Sequence, residues 1–154
     1  MTEDNKATQT AQRRHWISVL ARATKPELEE ALVPMAPLLP IQYLRPAEAG
    51  MMMLRGRVGG TGDAFNLGEA SVTRCALRVG TSALGVGYTL GRDRRKAELI
   101  AVLDALLQDE ARQARILEAV IAPLAQKQAL QRDAVSRNVA TSKVEFFTFV
   151  RGAT

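Results

Sequence analysis

The chain of 154 residues is 47% hydrophobic and 24% charged, which is ordinary for one soluble globular domain with a real core. Its single cysteine, Cys75, excludes a disulfide framework and a cysteine metal cluster. The net charge of +5 permits a phosphate-rich ligand or an acidic partner without requiring either. No stretch approaches a transmembrane span, and residues 1–12 lack the apolar run of a signal peptide, so we expect a cytoplasmic protein.

Two helices are predicted at the start of the chain. Residues 1–10 are polar and are predicted to be disordered. Residues 13–23 carry apolar side chains at the spacing of an amphipathic helix. A second helix is predicted to begin at Thr24, because Thr24 can cap it and Glu27 follows three residues later, and it is predicted to end before Pro34.

The middle of the chain predicts an α+β fold organised around an antiparallel β meander of about four strands. The predicted strands cover residues 41–45, 51–58, 70–79 and 84–90, with a turn at residues 46–48 between the first two. The N-terminal helices and a C-terminal helical segment are expected to pack on this sheet. The connection at residues 59–68 is long for a hairpin, and long loops in compact domains are often functional.

Alternation along the strands predicts one apolar sheet face. Its expected members are Met52, Leu54, Val58, Thr73, Cys75, Leu77, Val79, Leu84, Val86, Tyr88 and Leu90. We expect Cys75 to be buried there as a small hydrophobic side chain. The opposite face carries arginines, and the glycines Gly85 and Gly87 on that face indicate a bulge or the close approach of another backbone or a ligand.

The last third of the chain predicts a helix followed by an extended tail. Asp93 is a plausible cap for a helical segment that reaches about residue 140, with a join near residues 108–110 and an end or kink at Pro123. The apolar stripe thins beyond Leu124, which predicts a peripheral last segment. In the β-prone tail at residues 141–154, the candidate partner-binding residues are Val144, Phe146, Phe147, Phe149, Val150 and Arg151.

Two interpretations of this tail remain open. It either returns to the protein's own sheet as an edge strand or docks on a partner by strand addition or by filling apolar pockets. The thin helix before the tail could carry it outward, which favours the partner.

The case for catalysis within the chain is weak. His15 is the only histidine, and no nucleophile–base set and no cluster of metal ligands can be assembled, so we predict no catalytic residue and no metal site. Backbone N–H groups and arginines together could hold an anion. The candidate phosphate-proximal residues are Arg57, Gly59, Gly60, Thr61, Gly62, Arg74 and Arg92. The alternative interpretation pairs these arginines with Asp63, Glu69 or acids of a partner.

From the residues alone, two functions remain open. One is a non-catalytic subunit whose sheet face and C-terminal tail bind partners. The other is a small stand-alone enzyme or binding protein for a phosphorylated ligand, using an arginine-lined sheet face and the glycine-rich loop. Nucleic-acid binding ranks below both, because the charge is modest and the strands lack exposed aromatics on which bases could stack.

Several separated stretches resemble the PhnG subunit family of the bacterial carbon–phosphorus lyase system. They occur in the family's order over nearly the whole chain, at residues 14–21, 57–62, 68–74, 84–88, 91–93, 121–124 and 144–152. Departures are mild: Ile17 and Phe149 stand where the family has methionine, and the proline-rich residues 34–40 match more loosely. On this resemblance, residues 1–154 form a single PhnG-like domain.

The resemblance implies a role in phosphonate use under phosphate limitation, in which an alkylphosphonate such as methylphosphonate is transferred onto the ribose of ATP with release of adenine. It implies a core complex with PhnI, PhnH and PhnJ and a contribution from PhnL. PhnI would carry the nucleosidase chemistry, and the iron–sulfur cluster and SAM would belong to PhnJ. The chain would then be an accessory subunit without a cofactor of its own, with neither a nucleic-acid nor a membrane partner.

Overall fold

Residues 2–38 and 40–142 are described by the computed structural model, which confirms the predicted α+β fold. The helices are α1 (Thr2–Arg22), α2 (Lys25–Leu32), α3 (Arg94–Leu107), α4 (Glu110–Ile116) and α5 (Ala122–Thr141), and the strands are β1 (Ile41–Arg57), β2 (Ala64–Val79) and β3 (Gly85–Leu90). The strands form one antiparallel sheet in the order β1-β2-β3. The helices pack on one face of this sheet, and no described element covers the other face, which we call the open face.

The sheet has three strands among the described residues, rather than the four that were predicted. Residues 41–45 are the first part of one long strand, β1, and residues 46–48 do not turn the chain back. The pairing of β1 with β2 shifts register around Arg45 and Glu48, on either side of Pro46. Proline cannot donate a ladder hydrogen bond, but a bulge on an edge strand tolerates it. Pro46 was predicted to lie in a turn, but it marks an irregularity within one strand.

Helix α3 is the centre of the core and lies directly against the sheet. Nearly all its residues from Ala97 to Leu107 are buried. The glycines of β3 make this contact possible. A Cβ atom at Gly87 would lie 2.0 Å from the carbonyl oxygen of Ala97, and one at Gly85 would lie 2.1 Å from that of Ala101. The expected close approach at these glycines is thus an approach of the α3 backbone.

This close contact reverses the predicted facing of β3. Gly85, Gly87 and Thr89 are buried, whereas Tyr88 and Leu90 are 46% and 74% exposed. The prediction placed the larger residues of β3 inside, because alternation reveals which residues share a face but not which face is covered. On β2 the prediction is confirmed: Thr73, Cys75, Leu77 and Val79 are all buried.

Burial, and secondarily the charge of Glu98, raises the pKa of the Cys75 thiol to about 11.

The N-terminal helices follow the predicted pattern with one difference. Helix α1 begins at Thr2, so residues for which the composition predicted disorder form its first turns. These turns extend a helix whose later residues Trp16, Val19 and Leu20 are buried. Extension is favourable once a helix is nucleated, because each further residue adds one hydrogen bond. Helix α2 begins as predicted: Thr24 is its N-cap, and the Glu27 carboxylate accepts a hydrogen bond from the Thr24 backbone N–H at 2.8 Å.

The last third of the described chain is helical with a break where one was predicted. Helix α3 ends at Leu107, and Asp109 caps α4 by accepting a hydrogen bond from the Ala111 N–H. A π-helical turn, Leu117–Ile121, then leads into α5, which contains Pro123 in its first turn. A proline ring collides with the carbonyl of the preceding turn, and a wider π turn relieves that conflict. From residue 131 onward every described residue of α5 is exposed, as expected for a peripheral segment.

Candidate functional site

The most unusual surface is a β-hairpin that extends beyond the rest of the sheet. Strand β3 pairs with β2 only from Val72 to Leu77, so β1 and β2 continue past it as a two-stranded ribbon. We call residues 50–71 the hairpin arm; its strands pair from Gly50 opposite Val72 to Arg57 opposite Ala64. No helix contact buries this ribbon: residues 50–55 and 64–69 are exposed without exception.

The hairpin arm is apolar although it is exposed. Its large apolar side chains, each 40–69% exposed, are Met51, Met52, Met53, Leu54, Val58, Phe65 and Leu67. The prediction that Met52, Leu54 and Val58 belong to a buried face is therefore wrong for the chain by itself. Alternation correctly placed Met52 and Leu54 on one side of the strand, but their partners Ala70 and Gly68 put that side on the face opposite to the buried Thr73, Cys75 and Leu77.

One side of the arm continues into the open face of the sheet. Residues directly opposite each other in an antiparallel pair point to the same face. Val72 pairs with both Gly50 and Leu90, and Met52 pairs with Ala70, so these positions share the open face. The apolar strip of the arm thus continues on the open face to Val72 and Leu90, and it ends where Arg74 pairs with Glu48 on the same face.

The predicted phosphate-proximal residues at the glycine-rich loop form the tip of the arm. The connection is shorter than predicted, because Ala64 to Gly68 already belong to β2, and it contains a single 3-10 turn, Val58–Gly60. Gly59 and Gly60 have φ angles of 59° and 79°, which glycine adopts at little cost. The Arg57 guanidinium donates a hydrogen bond of 3.2 Å to the Gly62 carbonyl oxygen, so part of its donor capacity is used within the turn.

The other two predicted arginines lie elsewhere. Arg74 forms an ion pair with Glu48 at 2.9 Å on the neighbouring strand. Ten strand residues separate Arg74 from Ala64, the partner of Arg57, which corresponds to about 33 Å. Arg92 is exposed in the turn between β3 and α3, at the base of the arm. The candidate residues are therefore not gathered into one site, and Arg74 pairs with an acid as the alternative interpretation expected, although that acid is Glu48.

The sequence analysis missed a buried carboxylate, Asp104. Its side chain is fully buried and accepts hydrogen bonds from donors on α1 and β3. Arg13 donates at 2.7 and 3.2 Å, the Trp16 indole N–H at 2.8 Å and the Val86 backbone N–H at 2.9 Å. Such saturation holds a buried charge in place and leaves no lone pair facing solvent. A single aspartate inside the otherwise apolar residues 99–107 was the available sequence signal.

A groove of about 440 Å³ lies between α2 and the helices α4 and α5. Its lining is mostly apolar, and its charged members are Glu27, Glu30 and Arg115. The Glu27 carboxylate already binds Lys127 and Thr24. The groove therefore lacks a set of free polar groups that would orient a small substrate.

Three further features were considered in the sequence: the C-terminal tail, groups of metal ligands and membrane-spanning segments. The tail residues Val144, Phe146, Phe147, Phe149, Val150 and Arg151 lie outside the described residues. Within residues 2–38 and 40–142, no three His, Cys, Asp or Glu side chains are grouped so that they could hold a metal ion. Over the same residues, no helix is both long enough and apolar enough to cross a membrane.

Comparison with known proteins gives two findings. The family model described as "Phosphonate metabolism protein PhnG" matches residues 11–152. The alpha-D-ribose 1-methylphosphonate 5-triphosphate synthase subunit PhnG of Rhizobium meliloti (strain 1021) is 40% identical over 142 residues, which cover 92% of this chain and 90% of that protein.

Proposed function

The chain belongs to the PhnG family of phosphonate metabolism proteins, and we propose that it is a subunit of an alpha-D-ribose 1-methylphosphonate 5-triphosphate synthase. That enzyme transfers an alkylphosphonate such as methylphosphonate onto the ribose of ATP and releases adenine. The observation that carries the proposal is the 40% identity to a synthase subunit over nearly the full length of both chains. Since ATP is a substrate, the proposal places the chain in the cytoplasm.

We assign this chain an accessory, non-catalytic role within the synthase. The support comes from the kinds of groups present in the described residues: the buried carboxylate of Asp104 is fully hydrogen-bonded, and the Cys75 thiol is buried with a raised pKa. Neither group is available to a substrate. The chemistry would then be carried by PhnI-like, PhnH-like and PhnJ-like partners, with a contribution from a PhnL-like protein. An iron–sulfur cluster and SAM would belong to the PhnJ-like partner alone.

The stand-alone phosphate-binding protein, which the residues alone left open, lacks support. Its expected site required Arg57, Arg74 and the glycine-rich loop to act together, but the arm separates them by about 33 Å. The proposal for a phosphate contact is therefore restricted to the tip of the arm, where Arg57 and the N–H groups of a glycine turn are close to each other.

The test of the proposed function is reconstitution. The chain is co-expressed with the other synthase subunits from the same genome, the complex is isolated by size-exclusion chromatography, and adenine release from ATP and methylphosphonate is assayed together with formation of the phosphonate ester. We expect a stable complex in which ester formation requires this chain. A chain that elutes alone and leaves ester formation by its partners unchanged would overturn the proposal.

The tip contact has its own kinetic test. If Arg57 approaches the triphosphate in the complex, Arg57→Ala raises the KM for ATP about tenfold while the complex still assembles. Arg132→Ala, on the exposed part of α5, is the matched control and is expected to leave KM unchanged. Equal KM values for both variants would remove the tip from the substrate site without affecting the subunit proposal.

A further inference from the structure

The hairpin arm exposes a larger apolar area to water than is usual for a monomeric soluble domain. Its seven large apolar side chains are each 40–69% exposed. Together they leave on the order of 700 Å² to solvent, close to the ~800 Å² that each partner contributes to a stable interface. A two-stranded ribbon is also marginal in water unless another surface packs on it. The exposed apolar area of the arm is therefore large enough for an interface, and a partner that packs on the arm would stabilise it.

The composition of the arm matches the centre of an interface. Three consecutive methionines, Met51 to Met53, supply flexible side chains that adapt to an irregular apolar surface. The charged residues Arg55, Arg57, Asp63 and Glu69 cancel, although the whole chain carries +5. Interface centres are poor in charge and enriched in methionine and aromatic residues. These features favour an apolar binding surface over a phosphate or nucleic-acid ligand along the shaft of the arm.

The geometry of the arm suits insertion. Within residues 2–38 and 40–142, β1 pairs only with β2, and β2 has no second partner on the arm side of Val72, so both long edges of the ribbon lack a partner strand from this part of the chain. Stacked sheets pack about 10 Å apart, so each wall of a cleft that holds the ribbon would lie about 10 Å from its backbone. Side chains of the ribbon then contact both walls of such a cleft, and its edges can receive an added strand.

We infer that the hairpin arm inserts into an apolar cleft on a different subunit of the synthase; this inference rests on the proposed function. The relative that is similar over 92% of this chain is named as a subunit, so a different polypeptide is the expected occupant. The open-face side of the arm, with Met52 and Leu54, provides the central contacts. The arm, rather than the helices, holds this chain in the complex.

The experiment measures binding of the full-length chain to the remaining co-purified subunits. Met52→Glu and Leu54→Glu each place a charge in the centre of the proposed contact. Val33→Glu introduces the same charge at an apolar residue that is 72% exposed and far along the chain from the arm. We expect the arm variants to weaken binding by about 10- to 100-fold and the control to change it by less than about threefold. Trp16 fluorescence and circular dichroism verify that each variant is folded.

A second variant removes the arm without opening the sheet. Replacement of residues 53–69 by Asn-Gly joins Met52 to Ala70, which already face each other, through a turn that suits two-residue hairpins. The shortened chain should fold, because none of the deleted residues is buried or belongs to the core, and it should no longer enter the complex. Retention of this variant in the complex would overturn the inference.

The possible outcomes separate the two proposals. If the wild-type chain binds and the arm variants bind equally well, the subunit proposal stands and the arm inference fails. If the wild-type chain binds no synthase subunit, both fail. If the chain alone forms a dimer that Met52→Glu dissociates, the arm is covered by a second copy and the inference is overturned.

Discussion

At the scale of single residues, Asp104 shows how a buried charge can be structural. Its carboxylate connects α1 through Arg13 and Trp16, β3 through Val86, and its own helix α3. Arg13 keeps contact with solvent, with 34% of its side chain exposed, whereas Asp104 has none. The cost of desolvating the carboxylate is offset by its charge-assisted hydrogen bonds, and removal of the carboxylate leaves several buried donors unpaired.

We expect Asp104→Ala to lower the free energy of unfolding by about 3 kcal/mol or more, because the Trp16 and Val86 N–H groups lose their acceptor. Urea unfolding followed by the fluorescence of Trp16, the only tryptophan, measures this change. Asp133→Ala on the exposed part of α5 is the control, and it should change stability by less than about 0.5 kcal/mol. Similar stabilities for the two variants would contradict the role assigned to Asp104.

Glu27, also a single residue, makes a contribution to the stability of the fold that depends on pH. Its hydrogen bond with Lys127, and secondarily that with the Thr24 N–H, lowers its pKa from 4.5 to about 2. A lowered pKa means that the stabilising charge is present above about pH 4.5 and is lost as the pH falls through 2. The pair is partly exposed, so we assign it about 1 kcal/mol.

Glu27→Gln should therefore reduce stability by about 1 kcal/mol at pH 7, and the difference from wild type should disappear as the pH approaches 2. Urea unfolding at a series of pH values tests this expectation. Glu30→Gln removes a carboxylate from the same helix and serves as the control. A Glu27→Gln difference that is independent of pH would exclude the ion pair as its source.

At the scale of elements, the packing of α3 on β3 is set by two glycines. Side chains at these positions would occupy the space of the Ala97 and Ala101 carbonyl groups. The helix can therefore lie closer to the sheet than side-chain packing would allow, and its residues from Leu99 to Leu107 become buried. The two glycines of β3 therefore fit the backbone of α3, the helix that follows β3 after a short turn.

Gly87→Ala should destabilise the fold by about 2 kcal/mol or more, since its Cβ would lie 2.0 Å from the Ala97 carbonyl oxygen. The matched control is Gly50→Ala on β1, where nothing lies within 4 Å of the added methyl group. Thermal unfolding of both variants checks the difference. A Gly87→Ala protein as stable as the control would mean that α3 can move away from β3 at little cost.

The hairpin arm shows what a pattern can and cannot predict about an element. Its strands were predicted from alternation, and the turn between them from the glycines. Its exposure was not predictable from the same data, because Met52 and Leu54 have the same period-two pattern as the buried Cys75 and Leu77. Burial depends on which element lies above a face, and that information is carried by distant residues of α3.

At the scale of the whole molecule, a compact body carries two projections, the hairpin arm and the outer part of α5. The body is formed by α1, α2, α3, α4, the π-helical turn and the part of the sheet next to β3. The exposed residues 131–141 of α5 precede the predicted docking tail in the chain. A chain with two projections and a small core is suited to a role within a larger assembly.

Truncation after Ala140 tests the predicted role of the tail, which contains Val144, Phe146, Phe147, Phe149, Val150 and Arg151. If the tail docks on a partner, the truncated chain keeps its Trp16 fluorescence and its unfolding transition within about 0.5 kcal/mol of wild type but binds the other subunits at least about tenfold more weakly. A truncated chain that fails to fold would assign the tail to the protein's own sheet instead.

The sequence by itself determined the kinds of elements, many of their boundaries, the burial of Cys75 and the family of the chain, because these depend on local periodicity, caps and short stretches in a fixed order. The tertiary structure decided three other points. Pro46 lies in a bulge of one long strand rather than in a turn, Gly85 and Gly87 face the core rather than solvent, and Arg57 and Arg74 lie far apart. Each depends on which surfaces meet in three dimensions, and a pattern along one strand contains no information about the element that covers it.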